Sequence, residues 1–159
     1  KIGMFDVSDV NNPKQLFTEV IGDRGTDSPL LTDHHALLFD NEQGLLSFPV
    51  TVMEVSDAEK MKKPADQFST QTFQGAYVYD VSLQKGFTLR GKITHYTTDD
   101  IAKSGNNFYG KSIQRILRLG QSLVTVGEAG VQSHTLSTVR FESSVNFPDD
   151  AVRADPIMY

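Results

Sequence analysis

The densest chemical capacity in the chain lies at Asp33-His34-His35, where a carboxylate is followed by two imidazoles. With Asp27 just upstream, these groups offer the oxygen and nitrogen ligands that divalent metals take, and either imidazole could serve as a base. The run His35 to Phe39 is apolar and reads as a strand, in which neighbouring side chains point to opposite faces. That expectation keeps the two imidazoles apart. It favours a structural role, with Asp33 and a histidine tying a loop to the strand. His95 and His134 are distant in sequence and could come near only through a repeated fold.

Asp6, Asp9, Asn11 and Asn12 could supply oxygen ligands to calcium, the cofactor the sequence could most easily hold besides none at all. They lack the glycine and the bidentate glutamate of an EF-hand loop, and a turn bonded to its own backbone explains them equally well. Asn106, Asn107, Phe108 and Tyr109 place two rings in a polar loop. They could form a contact patch for a protein or a carbohydrate, or fold back on the scaffold. No Gly-x-Ser-x-Gly, phosphate loop or His-Glu-x-x-His occurs, so no catalytic motif stands out.

The chain has 159 residues and a net charge of -5. Its basic residues are scattered, apart from Lys60, Lys62 and Lys63 in a polar stretch, which argues against a nucleic-acid partner. Without cysteine there is neither a disulfide nor a thiolate ligand. No apolar run reaches the roughly 18 residues of a membrane span. No signal peptide is visible, and the chain opens in a strand without an initiator Met, which leads us to expect a piece of a longer protein.

What must position these residues is a repeated strand pair. Gly75 to His95 alternates as two strands about a turn ending at Gly86, with Tyr77, Tyr79 and Val81 on one face. Lys1 to Gly22 repeats the unit, with Phe5-Asp6-Val7-Ser8 matching Tyr79-Asp80-Val81-Ser82, and Gly130 to Phe147 is a worn third copy. His35 to Val52 likewise corresponds to Ile113 to Gly127. Pro49 inside the long strand Leu45 to Val55 predicts a bulge or an edge. Ser56 to Gln71 and Tyr96 to Lys111 read as polar loops, the first with a short helical turn near Asp57 to Met61.

The expected fold is all-β, built of antiparallel four-stranded β-propeller blades, with about two and a half blades present. The domain spans residues 1–147, as a half blade at 1–22 and blades at 34–96 and 113–147, followed by an irregular tail at 148–159. Because closed propellers have roughly 4–8 blades, open blade edges could also pair with a second copy.

The segments Lys1 to Lys14, Asp33 to Val50, Phe73 to His95 and Ile113 to Val126 together resemble the C-terminal part of a family. Its members are secreted bacterial and archaeal proteins with a C-terminal β-propeller domain distantly related to WD40 repeats. The resemblance implies a secreted or cell-surface, extracytoplasmic protein and carries over no catalytic residues. The leading expectation is a non-enzymatic binding or scaffold module for a protein or carbohydrate ligand. The alternative is a metal-dependent hydrolase whose site needs parts of the propeller beyond this chain.

Overall fold

The computed structural model describes residues 1–104 and 108–148. The expected contact residues Asn106 and Asn107, and nearly all of the expected tail, lie outside the described residues.

Alternating apolar residues give three antiparallel sheets in chain order. The first is the pair β1 (Ile2–Asp6) and β2 (Lys14–Glu19). The middle sheet has the order β3 (Leu38–Asp40), β4 (Leu45–Val55), β5 (Ser69–Ser82) and β6 (Gly86–Ile93). The third contains β7 (Ile113–Leu119), β8 (Ser122–Gly127), β9 (Gly130–Thr135) and β10 (Phe141–Asn146), each paired with the next. The fold is all-β with four-stranded antiparallel units, as expected from the repeat, and the sheets do not close into a ring.

The middle sheet is apolar on both faces because successive side chains alternate. On one face Phe48, Val50, Val52, Tyr77 and Tyr79 pack with Ile21, Ile2 and Leu30 of the first segment. On the other, Leu45, Ala76, Val78 and Ile93 meet Ile113, Ile116, Leu123 and Leu136 of the third sheet. Pro49 sits opposite Ala76 without breaking the β4–β5 ladder. Its carbonyl, on the side away from β5, accepts the Ser28 hydroxyl at 2.5 Å. Proline is tolerated there because β3 pairs only as far as Ser47, leaving that side of β4 without a strand.

Four local expectations need correction. His34–Ala36 is a 3-10 turn, and the strand starts only at Leu38, because Asp33 caps the turn by accepting the His35 N–H at 2.9 Å. β5 begins at Ser69, inside what reads as a loop, paired to Val55 beyond a bulge at Val52/Met53. The loop after Tyr96 holds helix α1 (Thr98–Ser104). Thr97 caps it reciprocally: its hydroxyl accepts the Asp100 N–H, and Asp100 accepts the Thr97 N–H. Within the third copy of the strand pair, Val139 has φ 55, so the chain turns there and the second strand, β10, begins only at Phe141.

Candidate functional site

The third sheet is seated on the middle one by polar contacts as well as apolar ones. His95 Nε2 lies 2.8 Å from the Thr125 hydroxyl, and the Ile113 N–H donates to Gln74 at 3.3 Å. Arg90 holds Asp80 of its own sheet and donates to the Leu136 carbonyl of the next at 2.8 Å. Burial pushes the His95 imidazole down to about 4, helped by the nearby His134 and Lys111, and burial also lowers His134. The repeat has therefore brought these two distant histidines near each other, inside the interface rather than on a surface. The Thr125 hydroxyl is fully buried, while His95 keeps a small exposed edge in a pocket it lines with Thr97 and Lys111.

That seating places β3 beside β7, the first strands of their sheets. Two ion pairs reach β7, from Asp33 in the turn before β3 to Arg115 and from Asp40 at the end of β3 to Arg118. The backbone N–H of His35 and the Arg115 guanidinium hold the Asp33 carboxyl below the usual carboxylate range, against some desolvation. Asp40 is lowered in the same way by the Gln43 N–H and by Arg118. An open cleft runs between the two strands, lined by Leu37, Phe39, Leu117 and Leu119 with His35 and Gly120. Its apolar side chains are exposed, Phe39 by 55% and Leu119 by 62%.

At one margin of the cleft, Asp33, His34 and His35 each present a ligand atom, all within 4.8 Å of one another. The expectation that the imidazoles point apart fails because they stand on a 3-10 turn. There, successive side chains are about 120° apart rather than on opposite faces. The ring centroids are 4.0 Å apart, and His35 Nδ1 is 3.0 Å from Asp33 Oδ1. Asp27 does not join this group; its backbone bridges to Thr51 on the free side of β4.

The remaining sequence candidates separate. Phe108 is buried edge-on against Tyr96 at 4.9 Å, whereas Tyr109 is 80% exposed. In the turn after β1, Asp6 accepts the Ser8 N–H at 2.9 Å and Asp9 accepts the Asn11 N–H at 3.1 Å. Sequence reasoning missed Arg115 and Arg118. A bulge between Ile113 and Arg115 shifts the alternation of β7, so strict period-2 reading misplaces its side chains.

The family model for the beta propeller domain matches residues 1–139. The chain belongs to the β-propeller domain family. Its four-stranded sheets are blades, and the β1–β2 pair is a partial one. No curated protein and no solved structure matches the chain. Among the described residues, no helix of the propeller is long and apolar enough to cross a membrane.

Proposed function

We propose that this propeller is a non-enzymatic binding module whose ligand seats in the cleft between β3 and β7. The observation that carries the reading is the composition of that cleft. Exposed Leu37, Phe39, Leu117 and Leu119 line the cleft beside the Asp40–Arg118 ion pair and Asn41, apolar groups set next to polar ones as in a protein contact surface. The aliphatic lining favours a protein segment over a carbohydrate, which would stack on several rings. β3 pairs with β4 on one side only, so an extended segment could also add to its free edge. An extracytoplasmic location rests on the resemblance to secreted propeller proteins.

The test is selection from a displayed library of short peptides, followed by titration of the selected peptide. Saturable binding by the parent, abolished in Leu117→Glu and Leu119→Glu variants that keep their circular dichroism, supports the reading. Saturable turnover of p-nitrophenyl acetate, phosphate or glycosides by the pure protein would favour the hydrolase alternative instead.

A further inference from the structure

We infer that Asp33, His34 and His35 form a binding site for a borderline divalent transition ion, of which zinc is the representative, at the margin of the β3–β7 cleft. The geometry is nearly in place. In a tetrahedral zinc site with bonds of about 2.0–2.1 Å, neighbouring ligand atoms stand about 3.3 Å apart. His35 Nδ1 and Asp33 Oδ1 stand at 3.0 Å as a hydrogen-bonded pair whose proton the ion would displace, and no pair of ligand atoms in the group exceeds 4.8 Å. Both imidazoles are exposed, so their rings can turn in solvent to close the remaining gap.

The carboxylate is held ready. Asp33 Oδ1 accepts the His35 N–H at 2.9 Å, which fixes its side chain over the turn. Arg115 engages the other oxygen, Oδ2, so Oδ1, which now faces the His35 N–H and Nδ1, is the oxygen an ion would take in place of the imidazole proton. An outer partner on a ligating carboxylate is a common way of orienting it. The donor set selects the ion. Two nitrogens and one oxygen suit zinc, cobalt, nickel or copper, whereas calcium takes six to eight oxygens. Three protein ligands leave at least one position open, which a water or a ligand atom completes. The ion would be bound whether or not a peptide occupies the cleft, so this inference and the binding reading can fail separately.

The direct test is titration of the metal-stripped, tag-free chain with Co2+, followed by visible absorption, then displacement by Zn2+. The expected result is one ion per chain with d–d bands of a four- or five-coordinate site. Each of His34→Ala, His35→Ala and Asp33→Asn should weaken binding at least ~100-fold, the upper end of what even an outer-shell change costs. A second measurement needs no variant: Zn2+ should protect His34 and His35 of the parent chain from diethyl pyrocarbonate, as read by mass spectrometry. No saturable binding, binding unchanged in both histidine variants, or unprotected imidazoles in the Zn2+-saturated parent overturns the site.

Discussion

The two faces of the middle blade are packed by different means. Toward the first segment the face is aromatic: Phe48 stacks near Tyr79 at 6.2 Å, and Tyr79 meets Phe87 edge-on at 6.3 Å. Toward the third blade the side chains are small or aliphatic and a polar layer is set among them, with His95, Thr125, Gln74 and Arg90 reaching across. The aromatic face gains stability from buried area, which is insensitive to small shifts. The polar face favours one register, because the buried His95, Thr125 and Gln74 groups find partners only there, although His134 Nδ1 stays unpartnered. The difference teaches where a site can be built: Asp33 and Asp40 meet Arg115 and Arg118 only if the third blade is seated in that register.

Removing an aromatic should produce the largest effect. Tyr79 is 1% exposed, and Tyr79→Ala should cost about 3–5 kcal/mol in urea unfolding, as large-to-small core changes do. A cost below about 1 kcal/mol would mean this face is not the stabilising one. On the polar face, Gly127 leaves room for His95: a Cβ there would lie 2.7 Å from the imidazole Nδ1. Gly127→Val should therefore cost about 1–3 kcal/mol by overpacking and should also weaken peptide binding in the distant cleft. Unchanged peptide affinity would separate the cleft from the interface.

Acid should act on one face alone. His95 and His134 have imidazoles lowered by burial, His95 to about 4, so an opened state binds protons first. Stability from this face is then complete above the ordinary imidazole value of about 6.5 and is lost as pH falls from there toward 4. Lys111 opposes protonation of His95, while Glu142 favours it at His134. The urea midpoint should fall between pH 7.5 and pH 5, and a His95→Phe variant should lose much of that dependence. The smallest effect belongs to the margin: Asp40→Asn removes a partly exposed ion pair and should leave the urea midpoint almost unchanged.

The strands were legible because alternation in Gly75 to His95 is strong and repeated, and the aromatic face follows directly from Tyr77, Tyr79 and Val81. The site was legible only in part. Asp33, His34 and His35 stand out by type, but the apolar run after them reads as a strand, and only Asp33's cap on the His35 N–H turns it into a 3-10 segment. Helix α1 announces itself by Thr97 and Asp100, three residues apart, a capping signal inside a stretch whose polarity reads as loop. Arg115 and Arg118 were hidden by the bulge in β7, since pairing geometry is not written in hydrophobicity. Partners 82 residues apart, such as Asp33 and Arg115, depend on blade stacking that no local pattern encodes.

The most direct test of the central claim, that the cleft is assembled by an acid-sensitive blade interface distinct from the aromatic core, is hydrogen exchange read by mass spectrometry from pH 7.5 to 4.5, corrected for intrinsic rates. The account predicts that β7, β8 and β9 lose protection first, as His95 and His134 take up protons, while β4 and β5 stay protected. Loss of protection in all five strands together, or in β4 and β5 first, would contradict it.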